Sequence, residues 1–246
     1  MGQAMIRLIS FADGEFMERG NAFYHQAESM RLFDEIHVCN RSSLDKDYLK
    51  RHGNFMLENK KGFGYYIWKS QVVKQACQDA RDDDLIIYLD AGFALNPSAR
   101  NRFQEYLDTA QESEWRMLSF FNIHTEYKWT KKDLALRVGV GTNARVMNTS
   151  QLSSGFFIFC PTDENRAIID KWASLAVEDD YHFSSDAPSK AQEHPDFEAH
   201  RHDQSIFSVL RKVRGTTSTF YEVQLYDQYL EANKSKSPAW AKRLRK

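Results

Sequence analysis

The 246-residue chain is 42% hydrophobic and 13% aromatic, a composition that excludes a disordered chain, a collagen and a small disulfide scaffold. It carries 33 Lys and Arg residues against 34 Asp and Glu residues, whereas a dedicated nucleic-acid binder usually has a strong basic excess. We therefore expect a globular protein with no nucleic-acid partner.

The cysteines and the apolar runs indicate a cellular compartment. Cys39, Cys77 and Cys160 lie far apart and lack the spacing of a zinc site, so each is predicted to be a reduced, buried thiol. The longest apolar runs, at 85–89 and 156–160, are far shorter than the roughly 20 residues of a membrane span. No signal peptide is evident, and we expect a cytoplasmic protein, with a peripheral position at the inner face of a membrane as the alternative.

Hydrophobic periodicity predicts alternating strands and helices. The run DLIIYLD at 84–90 is typical of a strand buried on both faces at the centre of a parallel sheet. The other predicted strands fall at 5–11, 35–40, 115–121 and 154–160, and the predicted helices at 16–30, 65–80, 97–111, from Pro161 onward and at 202–213. This alternation predicts the α/β class, with one mostly parallel central sheet and helices on both faces. We expect one domain over 1–233, followed by a basic tail at 234–246.

A polar segment without periodicity, at 178–200, separates the last two predicted helices. Structureless stretches longer than about 15 residues inside a compact domain are usually functional or disordered. The segment is interpreted either as a surface insertion or as a substrate lid or acceptor-binding loop.

A carboxylate stands at the end of the predicted central strand, in YLDAGFALN at 88–96. In open α/β sheets ligands bind beyond the carboxyl ends of the strands, and Asp90 is at such an end. The small residues that follow would let a ligand approach the backbone. A hard cation such as Mg²⁺ or Mn²⁺ prefers carboxylate oxygens and often bridges them to phosphates. Asp90 is therefore a candidate metal-site residue, and the alternative is that it only caps the following turn.

Two glycines bracket an aromatic residue just before a predicted helix, in KGFGYYIWKSQVV at 61–73. Backbone amides in such a junction can point at an anion near the helix N-terminus. Lys61 and Lys69 add positive charge, and the aromatic residues offer flat contact surfaces. The pattern indicates a phosphate-binding turn, and an ordinary loop–helix junction with Tyr65 and Trp68 in the core is the alternative.

Two histidines and an aspartate meet where the polar segment joins the last predicted helix, in HRHDQSIF at 200–207. A histidine there can serve as a metal ligand, and Asp203 can serve as a general base or as a clamp on a substrate. The alternative is that Asp203 caps the helix while both histidines are solvated.

These stretches, in this order, resemble the nucleotide-sugar glycosyltransferases of the GT-A fold, in particular small enzymes of bacterial capsule and lipopolysaccharide pathways and of large algal viruses. The similarity lies in LISFADGEF (8–16), KGFGYYIWKS (61–70), IIYLDAGFALN (86–96) and HRHDQSI (200–206), with weaker similarity in KWTKKD (128–133) and QLSSGFFIF (151–159). The resemblance implies a nucleotide-diphosphate sugar as donor and a glycan or lipid-linked saccharide as acceptor.

The resemblance also implies roles for individual residues. The nucleotide base would lie after the first strand, and the donor's phosphates and sugar would lie against the other motifs. The implied donor-binding residues are Phe11, Ala12, Asp13, Lys61, Phe63, Tyr65, Lys69, Asp90, Ala91, Gly92, Ser154 and Gly155, with Ser153 beside them. Asp90 would bind a metal together with His200 or His202, and Asp203 would be the catalytic residue near the reacting sugar.

One position departs from the family pattern. The family's Asp-x-Asp motif has two carboxylates, whereas this chain has Asp90, Ala91 and Gly92. We expect Mn²⁺ or Mg²⁺ to bind, with phosphates, a histidine and water completing the ligands. In the alternative, Lys61 and Lys69 supply the positive charge instead of a metal.

Two other functions compete with the glycosyltransferase. A sugar nucleotidyltransferase usually has a Gly-rich, Arg-containing loop after its first strand, but SFADGEF at 10–16 has one glycine and no arginine. A non-catalytic nucleotide-binding protein would not hydrolyse nucleotide sugars.

The tail at 234–246 holds six basic residues and no acidic ones, and is predicted either to be solvated or to contact an anionic membrane near a lipid-linked acceptor.

Overall fold

The computed structural model describes residues 4–220, 236–242 and 244. The strands are β1 (Ile6–Phe11), β2 (Glu35–Cys39), β3 (Leu85–Leu89), β4 (Ala94–Leu95), β5 (Met117–Thr125), β6 (Ser150–Phe159), β7 (Thr217–Phe220) and β8 (Ala239–Trp240). Six of them form a central sheet in the order β2-β1-β3-β6-β5-β7, while β4 pairs with β8.

The central sheet is mostly parallel, as predicted. β1 runs parallel to both β2 and β3, and β7 runs parallel to β5. β6 is antiparallel to both of its neighbours, β3 and β5. β3 is buried along its whole length, as its unbroken apolar run predicts, because both faces of the sheet are covered.

Helices pack on both faces of this sheet. The longer helices are α1 (Met17–Met30), α2 (Lys46–Glu58), α4 (Ile67–Ala76), α5 (Arg100–Glu112), α9 (Asp163–Tyr181) and α10 (His202–Arg214). The shorter ones are α6 (Glu126–Trp129), α7 (Lys132–Arg137) and α8 (Ala144–Met147), and a single left-handed turn, α3 (Gly62–Tyr65), precedes α4. On one face, Trp172 of α9 stacks on Phe207 of α10 with ring centroids 4.1 Å apart, and both rings contact Phe157 of β6. On the other face, Phe156 of the same strand packs on Phe103 of α5. The predicted α/β class is confirmed.

Several predicted boundaries differ from the structure. The helix predicted at 65–80 begins only at Ile67, because the residues before it form a left-handed turn. The helix predicted from Pro161 begins at Asp163, because the Thr162 side chain accepts the amide hydrogen of Asn165 as an N-cap. α9 continues through non-helical residues at 178–180 to Tyr181, so the polar segment without helix or strand is 182–201.

The described part of the predicted basic tail lies against the domain. Ala239 of β8 is fully buried, and the Leu244 amide donates to the Gly92 carbonyl at 3.0 Å. Residues 234, 235, 243, 245 and 246 of the tail, and residues 221–233 of the predicted domain, lie outside the described residues.

The cysteines are free thiols, as predicted. Burial raises the pKa of the Cys77 thiol to about 12 and that of the Cys160 thiol to about 11, so both are poor nucleophiles at neutral pH. Cys39 is half-buried. Among the helices of the described ranges, none is both long and apolar enough to cross a membrane.

Candidate active site

A cavity of about 630 Å³ lies beyond the carboxyl ends of β1 and β3. Its wall includes Phe11 at the end of β1, Asp90 directly after β3, and Gly155 on β6, which neighbours β3 in the sheet. Lys69 of α4 and Asp203 of α10 complete it from the helical layer. The volume is within the roughly 300–1,000 Å³ of ordinary small-molecule sites, and the position agrees with the rule for open α/β sheets.

Lys69 bridges the two predicted carboxylates in this wall. Its ammonium lies 3.1 Å from Asp90 Oδ1, 3.0 Å from Asp203 Oδ2 and 3.5 Å from the Ser154 carbonyl oxygen. Burial alone would lower the pKa of Lys69, but the attraction of Asp203 and Asp90 outweighs burial and raises it. All three N–H donors are used in these contacts, so Lys69 orients the two carboxylates, and its contact with the donor's phosphates stays a prediction.

Asp90 presents one carboxylate oxygen to the cavity. Its Oδ1 accepts hydrogen bonds from the Tyr88 hydroxyl at 2.8 Å and from Lys69, while Oδ2 has no partner within the described residues. Gly155 leaves room for this carboxylate, because a Cβ at position 155 would lie 2.7 Å from Asp90 Oδ2. The Asp90 side chain is held by Tyr88 and Lys69 and is not a cap of the following turn.

We expect Gly155→Ala to lower turnover by roughly 10- to 100-fold while the protein stays folded. The added methyl group would displace the Asp90 carboxylate, and small displacements of site residues cost this much in other enzymes. Gly53→Ala on α2 is the matched control, since a Cβ there meets no atom within 4 Å. Equal turnover of the two variants, measured beside their thermal unfolding, would show that the position of Asp90 does not matter.

Asp203 is a buried carboxylate with one bonded and one open oxygen. Its Oδ2 accepts hydrogen bonds from the Ser154 hydroxyl at 2.6 Å and from Lys69, whereas Oδ1 has no partner in the described part of the chain. The N-cap residue of α10 is Arg201, and no side chain caps the helix. The alternative in which Asp203 only caps its helix is therefore wrong, and Oδ1 is available to a hydroxyl bound in the cavity.

His200 does not fit the metal-binding role that the resemblance implied. Its Nε2 donates to the Phe183 carbonyl at 2.8 Å, and its Nδ1 accepts the Lys131 amide hydrogen at 3.2 Å. Burial, with His202 and Lys131 nearby, holds the pKa of His200 well below its usual value, so the ring is neutral. Both ring nitrogens are engaged by the backbone, and no lone pair remains for a metal.

The rest of the predicted metal site is equally incomplete. His202 donates from Nδ1 to the Ser184 carbonyl at 2.7 Å, and its Nε2 lies 3.8 Å from Asp186 Oδ1. Across residues 4–220, 236–242 and 244, no three His, Cys, Asp or Glu side chains cluster as metal ligands. Asp90 offers one open oxygen. The described side chains therefore form no complete metal site by themselves, and the Mn²⁺ or Mg²⁺ site stays a prediction.

The histidines instead fix the start of the polar segment. Four consecutive carbonyl oxygens, at 182–185, each accept a hydrogen bond from a buried basic side chain. The bonds run from Lys131 to His182 and Ser185, from His200 to Phe183, and from His202 to Ser184. This part of the segment is thereby attached to the wall of the cavity.

The Gly-x-Gly segment is a left-handed turn. Residues 62–66 all have positive φ, between 52° and 81°. The amides of residues 63–66 donate to carbonyls within 59–62, so these four amides are not the donors of the predicted anion-binding junction. A Cβ at Gly64 would lie 2.8 Å from Met56 Cα, which explains that glycine. Left-handed non-glycine residues cost about 1–3 kcal/mol each and are concentrated at functional sites.

Most of the residues predicted for the donor site, the metal site and catalysis meet in the cavity. Those that line it are Phe11, Lys61, Lys69, Asp90, Ala91, Gly92, Ser153, Ser154, Gly155, His200, His202 and Asp203. Ala12, Asp13, Phe63 and Tyr65 are not among the lining residues. Ala12 is buried in the core on the face of the sheet that holds Phe156, and Asp13 accepts from the Arg41 amide at 3.4 Å. The Phe63 ring packs near Phe11, and the Tyr65 ring packs near Phe55.

Other lining residues were not predicted as part of the site. They include Phe16, Arg19, Tyr66, Trp68, Phe93, Trp129, Arg201 and Gln204. Trp68 stacks on Phe11 with ring centroids 3.9 Å apart, so it belongs to the core and to the cavity wall. Gln204 donates to Gln151 Oε1 at 2.7 Å. No sequence pattern marked Arg19 as a site residue, because it is one polar residue within an ordinary helical stretch.

Comparison with known proteins identifies the fold. No family model and no curated protein matches the chain. A glycosyltransferase involved in the glycosylation of the major capsid of PBCV-1 is 12% identical, with a TM-score of 0.53 over 96% of this chain and 92% of that chain. Mouse xyloside xylosyltransferase 1 is also 12% identical, with a TM-score of 0.48 over 96% of this chain and 97% of that chain. The similarity to the PBCV-1 glycosyltransferase shows that the chain has the GT-A fold, as the resemblance implied.

Proposed function

We propose that the chain is a glycosyltransferase that moves a sugar from a nucleoside-diphosphate sugar to a hydroxyl of a glycan or lipid-linked saccharide. The observation that carries the proposal is the pair of open carboxylate oxygens, Asp90 Oδ2 and Asp203 Oδ1. One buried lysine orients both, in a cavity at the strand ends of a GT-A fold. Ionised carboxylates accept hydrogen bonds from sugar hydroxyls and bind them more strongly than neutral acceptors do.

The nucleotide base is assigned to the aromatic wall of the cavity. Phe11 ends β1, where the resemblance placed the base, and Trp68 stacks on it with an interplanar angle of 19°. The Trp68 indole is fixed because its Nε1 donates to the Gly62 carbonyl at 2.9 Å. A rigid aromatic surface can stabilise any stacked base, because stacking does not depend on the base's hydrogen-bonding groups.

The transfer breaks one bond and forms one bond at the anomeric carbon, and it moves one proton from the acceptor hydroxyl to a base. The bond from the anomeric carbon to the donor's phosphate oxygen breaks, the same carbon bonds the acceptor oxygen, and the acceptor's proton passes to a base. Lys69 and Ser154 both donate to Asp203 Oδ2 and fix the carboxylate, which leaves Oδ1 to accept the hydroxyl proton or to hold a substrate hydroxyl. No step in this scheme depends on a metal ion.

A screen of nucleotide sugars tests the proposal. We expect a UDP or GDP sugar, of a hexose or a pentose, to raise the melting temperature and to be hydrolysed slowly without acceptor. At 100 times its Kd a ligand stabilises the folded state by about 2.7 kcal/mol, which a thermal shift resolves. Parallel samples with Mn²⁺ and with a chelator check the metal prediction. Binding without hydrolysis would favour a non-catalytic nucleotide-binding protein, and no binding would contradict the donor site.

A further inference from the structure

A cavity that holds a nucleoside diphosphate needs positive charge, but two of its lysines are already paired. Lys69 lies between Asp90 and Asp203, and the Lys61 ammonium lies 3.0 Å from Asp186 Oδ2. Arg19 of α1 lines the same cavity and differs from both lysines in its partners.

Arg19 is a buried guanidinium that donates only to neutral oxygens. Its Nε donates to the Ala91 carbonyl at 2.7 Å, and its Nη2 donates to the Phe93 carbonyl and to Gln26 Oε1 at 3.2 Å. Within the described residues, Nη1 has no hydrogen-bond partner, and no Asp or Glu lies within ion-pair distance of the guanidinium. Arg19 is only 2% exposed, so its charge is largely removed from water.

A buried cation without a counter-ion is costly, and an anion at its open edge would offset that cost. Burial lowers the pKa of the Arg19 guanidinium. Guanidinium groups bind phosphate oxygens through planar, charge-assisted hydrogen bonds. Because Arg19 also holds the carbonyls of Ala91 and Phe93, an anion at Nη1 would lie beside the loop that begins with Asp90.

We propose that Arg19 binds a phosphate oxygen of the donor's diphosphate through Nη1 and stabilises the negative charge that develops as the diphosphate leaves. The identity of the ligand rests on the proposed glycosyltransferase function, but the anion site itself does not. Pyrophosphate therefore serves as a probe of the anion site alone, and UDP and GDP serve as probes of the complete donor site.

Gln26→Glu is the most direct test, because it places a carboxylate where a neutral oxygen now accepts from Arg19. The glutamate can keep the hydrogen bonds of Gln26 to Arg19 and to the Leu95 amide. We expect calorimetry to show pyrophosphate and nucleoside diphosphates bound about 10-fold or more weakly, with the melting temperature unchanged or raised. Gln78→Glu, an exposed change of the same net charge away from the cavity, should bind both probes like the wild type.

Arg19→Gln should weaken the binding of both probes to at least the same extent, and the binding of free nucleosides should be unaffected. If the Arg19→Gln variant does not fold, the affinities of Gln26→Glu alone test the proposal. Unchanged pyrophosphate affinity in a folded Gln26→Glu protein would overturn the proposal, as would a wild-type protein that binds neither probe. Pyrophosphate binding that falls in the variants, without any nucleotide binding, would support the anion site and reject the glycosyltransferase.

Discussion

Lys69→Met is expected to cost about 3–5 kcal/mol of unfolding free energy and to lower turnover by at least 10²-fold. Methionine keeps much of the side chain's length but removes the ammonium that separates Asp90 from Asp203. Asp203, 7% exposed, is then a buried carboxylate without a cationic partner. Urea unfolding measures the first effect, and turnover at saturating donor measures the second.

A double variant separates folding from function. Lys69→Met combined with Asp203→Asn removes both charges of the buried pair, and we expect it to recover most of the lost stability but little of the turnover. Lys74→Met is the matched control on the same helix, because its partner Asp170 is exposed and such pairs contribute about 0–1 kcal/mol. Wild-type stability of Lys69→Met would show that the bridge is not a structural element of the site.

Asp203→Asn is expected to lower turnover by roughly 10²-fold or more at saturating donor. Asparagine has the same shape and its oxygen still accepts from the Ser154 hydroxyl, but it carries no charge and cannot take a proton at neutral pH. Unfolding free energy should fall by about 1–3 kcal/mol, because the buried Lys69 ammonium keeps only Asp90 as its charged partner. Paired unfolding and turnover measurements separate the two losses.

Ser154→Ala is the control for the orientation of Asp203. It removes the hydroxyl donor at 2.6 Å but leaves the ion pair with Lys69, so we expect a smaller loss of turnover than in Asp203→Asn. An unchanged turnover number in folded Asp203→Asn would assign Asp203 to structure alone. The base would then be sought among the carboxylates of the polar segment at 182–201.

The Lys69 ammonium, which lies between Asp90 and Asp203, also bears on the incomplete Asp-x-Asp motif. Gly92 stands where the motif has its second carboxylate, and the structure places Asp203 opposite Asp90 across the Lys69 ammonium. Two carboxylates thus face the cavity, but the second comes from α10 and a lysine lies between them. The cavity therefore has two carboxylates although position 92 is a glycine.

The elements that the sequence predicted well are those set by local patterns. The apolar run of β3 requires burial on both faces, and the helical spacing around Phe207 requires a helix packed on the sheet. Asp90 follows directly from β3 because it is the first polar residue after that run. Local patterns failed at 62–66, since a Gly-x-Gly spacing does not reveal whether its amides bind an anion or, as here, the carbonyls before them.

The sequence by itself determined the α/β class, the order of the elements and the placement of Asp90 at the end of β3, because hydrophobic periodicity and chain order are local properties. The family resemblance, and not a local pattern, implied that Asp203 lies at the same site. Only the tertiary structure decided which charges are paired. Lys69 pairs with two carboxylates, both ring nitrogens of His200 hydrogen-bond to the backbone, and Arg19 donates only to neutral oxygens. These pairings join segments far apart in the chain, and their energies depend on burial and distance, which no local pattern encodes.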